Sequence, residues 1–457
     1  MKLISQLIFY IIKTVLLLIV VGDIYAIDLE QAYRKSLNYN ADYLQAIAQN
    51  IAGHEFENQG LASLLPQLNA GGNYNYAQFQ SGGMQVGFTQ PSFNASATQV
   101  LYDFNKFSTY KKAIYTTDLS DLQITDARQQ LMLKVGQAYF ELLYAKDTLL
   151  VAKMTKNALK KQLDDAEVEY KIGKVTIADI NDAKSGYDTA VADEIQAQND
   201  VINKQVIFQN ITGVNPELIQ PIISNIELVY PNPDDVESIA KIAQTNNLSI
   251  KIAKKNIEIS YQDIKIAKSG HLPVINLMFN YQFQGTANIN YTDSAATAQL
   301  VQQIASIPGF PLSSYNGLGA FIGINIPLYS GGMVSSQVRQ QLHLYEVARD
   351  QLLATKRDVD QKVRFAYLQV HNGVGFVKAQ SQALTSAKIK LDSDKTGYKL
   401  GIRNSIDLVN SQKNYYKTWQ DYNQSRYQYL IYRLQLEYLL GNIDEQFIKI
   451  INVNIKQ

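Results

Sequence analysis

Cysteine is absent from the 457 residues, which excludes disulfides, thiol catalysis, Cys-ligated zinc and a lipid-anchored N-terminal cysteine. Net charge is nearly absent too: 42 Lys and Arg against 41 Asp and Glu leave +1, giving no electrostatic footprint for nucleic acid. Histidine is scarce, and the four present, His54, His271, His343 and His371, share no metal-ligand spacing. Ser330-Gly331-Gly332 lacks the Lys-Ser/Thr that completes a phosphate loop, and a strand-to-helix turn accounts for it. These absences predict neither an enzyme nor a bound cofactor. What is abundant is tyrosine, 30 residues against one tryptophan, an amphipathic ring suited to a membrane boundary or a wet lumen.

The only long apolar run lies at the start. Lys2, an apolar stretch from Leu7 to Val21 broken by Lys13, and a small residue at Ala26 have the form of an export signal, so residues 1–26 are read as removed and Ile27 as the mature start. No later segment is apolar enough to span a bilayer as a helix. An exported chain of this kind is periplasmic, secreted or a membrane β-barrel.

The remainder is written twice. Tyr170-Lys171-Ile172-Gly173 returns as Tyr398-Lys399-Leu400-Gly401, roughly 228 residues further on. Leu101-Tyr102 matches Leu328-Tyr329, and Tyr139 matches Tyr367. Leu65-Pro66 pairs with Leu272-Pro273 at a shorter offset, so about twenty extra residues sit in one loop of the second copy. This is a duplicated half-molecule rather than a solenoid: repeat 1 over 27–230, repeat 2 over 231–445, and a tail over 446–457.

Helical spacing of apolar residues predicts helices over 28–64, 104–171, 177–211, 234–270, 333–399 and 405–440. A helix of about 67 residues is about 100 Å long and must pack in a coiled-coil-like bundle. Between them, four segments alternate with period two, predicting strands at about 67–80, 90–102, 274–284 and 315–328. One face carries residues such as Leu277, Phe279 and Tyr281, and the other Asn, Gln, Ser, Thr and Gly with almost no charge. A solvent-facing sheet would carry Lys and Glu, so this pattern favours lipid outside and water inside. The loops fall near Ser81-Gly82-Gly83 and over Gly285–Ser314, the latter with a possible helix at Ala295–Ser306. Four strands cannot close a barrel with a lumen, so several chains must contribute.

At the hairpin tips Gly173 and Gly401 are expected to be the left-handed stops that let a long helix reverse. Thr176 and Asn404 stand three residues before Asp179 and Asp407, as N-caps of the returning helices do. Helix capping explains those two aspartates but not Asp182, a turn further in on the same face as Asp179.

Duplicated helical hairpins, strand pairs entered at Leu-Pro and twin Tyr-x-x-Gly tips resemble the TolC family of outer-membrane efflux ducts, over about residues 28–445. The resemblance implies a mainly α fold with transmembrane β. In it, a homotrimer pools four strands per chain into a twelve-stranded outer-membrane β-barrel above a long α-helical barrel. It implies a mixed α/β belt, here from 213–235 and 441–457, and the missing cysteine places the chain in the unlipidated branch. The implied function is a passive exit duct of a tripartite efflux pump or type I secretion system. Its partners would be a periplasmic adaptor, an inner-membrane transporter and outer-membrane lipid.

In such a trimer Asp407 and Asp182 would form acidic rings at the entrance, although Asn410 stands where the family pattern has a second aspartate. Arg403 and Tyr398 would reach Asp179 or its neighbouring backbone as gate links. Ile172, Gly173 and Lys174, with Leu400, Gly401 and Ile402, would be the tips on which the adaptor docks, Lys174 replacing an apolar residue. An exported coiled-coil adhesion or scaffold protein is the alternative reading of the residues.

Overall fold

The computed structural model describes residues 27–81, 84–223, 226–286, 288–291, 299, 302, 314–403, 405–453 and 455. The expected export signal, the Gly82-Gly83 turn and Asn404 lie outside them, as does the possible helix at 295–306 apart from Gln299 and Gln302. Helices α1 (Leu29–Ser36) and α2 (Ala41–Ala62) lead into strands β1 (Gln67–Ser81) and β2 (Met84–Tyr102). Helices α3 (Phe104–Lys171) and α4 (Ile177–Thr212) then form a long hairpin. The order returns with α5 (Val236–Asn246), α6 (Leu248–Ser269), β3 (Val274–Gln284), β4 (Asn288–Tyr291), β5 (Tyr315–Asn325), α7 (Met333–Lys399) and α8 (Ser405–Leu440), and α9 (Glu445–Asn452) closes the chain.

Both shorter helical stretches are broken where the sequence predicts one helix. At the first break Asn40 Oδ1 accepts from Tyr43 N at 3.1 Å, starting α2 afresh. At the second, Asn247 Oδ1 accepts from Ile250 N at 3.2 Å while its Nδ2 donates to Leu439 O at 2.8 Å. In each case an asparagine side chain outcompetes the helical ladder for a backbone donor. The last strand stops at Asn325 rather than 328, because Ile326 precedes Pro327, which offers no N–H. β2 starts earlier than 90, at Met84, and part of the expected 285–314 loop is the short β4.

The chain divides into two compact units. The first draws on Met1–Asn50, Asp121–Ala253 and Leu352–Gln457. Its core joins Tyr33, Tyr139, Phe140, Phe208, Ile250, Leu430, Leu434 and Ile448, all buried. Tyr139 places its hydroxyl 2.8 Å from Gln220 O and 3.1 Å from Ile27 O, and burial pushes that hydroxyl well above the usual tyrosine range. Short bridges Ile27–Ile219 and Ile222–Ile455 bring the expected belt segments together here.

The second unit, Ile51–Ser120 and Lys254–Gln351, carries the antiparallel sheet in the order β1-β2-β3-β5, with β4 beside β2. Pairing sets Leu68 beside Ala97, Ala97 beside Phe279 and Phe279 beside Ala320; the next row is Ala70, Ala95, Tyr281 and Leu318. Side chains directly opposite across a ladder share a face, so the apolar residues align across all four strands. Asn69, Ser96, Asn280 and Gly319 make the matching row of the polar face. The helices follow the strands in the same lateral order. The bare Cα of Gly60 on α2 lies against Tyr110 and Ala113 of α3, Lys112 of α3 pairs with Asp263 of α6 at 2.7 Å, and Gly270 after α6 meets Val334 of α7.

Candidate functional site: the hairpin tips

The first unit holds both long-hairpin tips. α3 ends in a left-handed turn at Gly173, φ 76°, with Gly173 N donating to Tyr170 O and Lys174 N to Glu169 O, each at 2.9 Å. Gly401, φ 73°, closes α7 the same way, through Ile402 N to Gly397 O at 2.9 Å. Space does not demand glycine at either position, since a Cβ would meet nothing within 4 Å; the positive φ does.

α4 starts in a reciprocal capping box. Asp179 N donates to Thr176 Oγ1 at 3.4 Å, and Asp179 Oδ2 accepts from Thr176 N at 2.7 Å and from Thr176 Oγ1 at 2.8 Å. Those bonds, the backbone one first, hold the Asp179 carboxyl below its ordinary value. Asp182 is exposed, and its side chain makes no hydrogen bond or ion pair among the described residues.

Within the chain the two tips are joined by Tyr398, expected as a gate link, and Glu169, which the sequence reading passed over. Tyr398 donates its hydroxyl to Glu169 Oε1 at 2.8 Å, linking the end of α7 to the end of α3. Burial first, and then the Glu169 carboxylate, push Tyr398 up to about 12. Arg403 stays within its own hairpin: Nε lies 3.6 Å from Asp394 Oδ1 and Nη1 3.7 Å from Asp407 Oδ2. Asp394, also unread in the sequence, takes Lys390 Nζ at 2.6 Å. Its signal was the i,i+4 spacing of Lys390 and Asp394, the latter about two turns before Gly401; Glu169 had only its place in the last turn of α3. The structure thus brings Arg403 and Asp407 together and sets Asp179 in its cap.

Around these polar contacts the tips present bare apolar side chains. Ile172 is 63% exposed, Leu400 68% and Ile402 76%, with Ile177 and Ile406 beside them. Exposed aliphatics concentrated at two adjoining turns mark a contact surface rather than a folding core.

A family model described as outer membrane efflux protein matches residues 28–214 and 239–442. The outer membrane protein TolC of Salmonella enteritidis is 29% identical over 426 residues, covering 93% of this chain and 84% of that one. The alkaline protease secretion protein AprF of Pseudomonas aeruginosa is 22% identical over 451 residues, covering 96% and 89%. Among solved structures, CusC superposes with a TM-score of 0.76 at 16% identity, over 91% of this chain and 92% of that one.

Proposed function

The chain belongs to the outer membrane efflux protein family, and from that premise we propose that it is a passive exit duct carrying drugs or polypeptides outward from an inner-membrane transporter. It is a protein of the cell outer membrane, of a family of channels rather than enzymes. The observation that carries the duct reading is the sheet: a single in-register apolar face with both outer strands, β1 and β5, lacking a second neighbour among the described residues. An open edge in hydrocarbon leaves backbone donors and acceptors unpaired, so the sheet closes only with sheets of other chains. Three copies give a twelve-stranded barrel, continued by a helical tunnel. The scaffold alternative leaves the apolar sheet face without a role.

At the entrance, Asp407 and Asp182 form acidic rings that concentrate cations in the narrow lumen. Arg403 and Tyr398 hold it closed by links to the first tip at Asp179, with Glu169 as the partner of Tyr398 within each chain. An adaptor engages Ile172, Gly173, Lys174, Leu400, Gly401 and Ile402. A closed state held by a few partly wet ion pairs is easily reversed by a protein interface.

Planar-bilayer recording of the purified protein tests this reading. Wild type is expected to give small, cation-selective openings, and Asp182→Ala with Asp407→Ala to lose most of the selectivity while still conducting. Unchanged selectivity would return both aspartates to helix packing.

A further inference from the structure

Asp394 is the most confined charge of the second hairpin tip. It sits on α7, about two turns before Gly401, and is 4% exposed. A carboxylate so enclosed must be paired or hydrogen-bonded, and here its ion-pair partners come from α7 and from the connecting turn. Lys390 on the preceding turn of α7 donates at 2.6 Å and Arg403 approaches from the connecting turn at 3.6 Å, while Ser411 of α8, which lowers the Asp394 pKa, gives its hydroxyl proton to Leu408 O at 2.9 Å. The Lys390 hydrogen bond above all, then the Lys390 charge, Ser411 and the Arg403 charge, hold the carboxyl below its ordinary value.

The path of Arg403 to Asp394 is built into the backbone. Arg403 N donates to Gly397 O at 3.2 Å, and the side chain crosses the bare Cα of Gly397, where an added Cβ would lie 2.7 Å from Arg403 Cγ. The guanidinium therefore lies along its own hairpin, between Asp394 and Asp407 at 3.7 Å. Its two salt bridges there are loose, longer than a bidentate guanidinium–carboxylate pair. An arginine held loosely by two carboxylates of its own hairpin is poised to exchange between that site and another acceptor.

We propose that Asp394 is a positioning residue of the gate: it holds Arg403 within the second hairpin in the open entrance, competing with the first-hairpin acceptor that closes it. This rests on the reading of Arg403 as a closing link. Lys390 shares the carboxylate and so tempers the competition. Asp394 thus sets the balance between closed and open, and a loss of Lys390 shifts it in the opposite direction from a loss of Asp394. Neither residue touches the conducted ion in this scheme; both act through Arg403.

The test is single-channel recording of the full-length purified protein, comparing wild type with Arg403→Ser, Asp394→Asn, Lys390→Met and the Asp394→Asn, Arg403→Ser pair. Arg403→Ser is expected to raise the open fraction. Asp394→Asn is expected to lower it by about two- to five-fold, the scale of one partly wet ion pair, and Lys390→Met to raise it by a similar factor. The double variant is expected to match Arg403→Ser alone, because Asp394 has nothing left to hold; a purely structural role would not give that equivalence. Should Asp394→Asn fail to assemble, the Lys390→Met arm decides by its sign. An open fraction at or above wild type in Asp394→Asn, or at or below it in Lys390→Met, while Arg403→Ser opens the channel, overturns the proposal alone. No effect of Arg403→Ser overturns the gate reading, and the proposal with it.

Discussion

The Asp179 carboxylate illustrates how much one residue at a hairpin tip is asked to do. It closes the capping box of α4 and is also the proposed acceptor for the gate link, and the two tasks draw on the same charge. Its folded value lies below the ordinary 3.8, so it adds stability that is complete above that value and is lost as pH falls through the lower folded one. Asp394 follows the same sign. The thermal midpoint of wild type should therefore exceed that of Asp179→Asn at pH near 6, and the gap should narrow at pH near 3, below the ordinary value, as the unfolded chain takes up the proton first. A gap of equal size at both pH values would contradict this. Thr176 and Asp179 were legible in the sequence because a capping box is a fixed spacing along one chain. Glu169 was not, because which side chains meet across two hairpins depends on how the helices cross, and no local pattern records that; Asp394 carried only its i,i+4 spacing to Lys390, which any exposed helix face can show.

Among the elements, the long helices were legible almost to the residue, since a sustained helical period between Gly stops leaves few alternatives. The breaks at Asn40 and Asn247 were not, because one side-chain hydrogen bond decides them. The strands show the same division. Period-two alternation identified the two faces, but not the irregularities that set the register. The pairing of β2 passes from Gln284 of β3 opposite Ser92 to Asn288 of β4 opposite Thr89 with a shift of register, and Leu101 is an extra residue in β2 between the partners of Asn276 and Ile275.

The first irregularity has a physical cause in Pro91, which offers no N–H to the neighbouring strand. The buried Gln90 side chain substitutes for it: Nε2 donates to Gly285 O at 2.9 Å, Oε1 accepts from Gln284 Nε2 at 2.7 Å, and Gly285 N donates to Pro91 O at 2.8 Å. Gln90→Leu removes the donor that meets the Gly285 carbonyl and should cost about 1–3 kcal/mol of stability. Urea or heat denaturation of the detergent-solubilised protein checks it, and wild-type stability in the variant would show that the bulge is held by the backbone alone.

At the scale of the whole molecule the proposed barrel needs more than one chain. The sheet order β1-β2-β3-β5 alternates in direction, so β5 of one copy would meet β1 of another antiparallel, and the proposed closure needs no new type of contact. The strand count alone leads to the expectation that several chains contribute; the strands that form the outer edges became visible only in the structure.

The absence of cysteine makes closure directly measurable, since any disulfide in an engineered variant must come from the introduced pair. A set of variants each carrying one cysteine on β1, from Leu68 to Tyr76, and one on β5, from Leu318 to Ile324, would be oxidised in the outer membrane and resolved by denaturing electrophoresis. Closed barrels of three chains predict that facing pairs give covalent species up to three chains in mass, with cross-linking that rises and falls along the strand as the pairs come into register. Monomers alone across the whole set would contradict the shared barrel, and with it the duct.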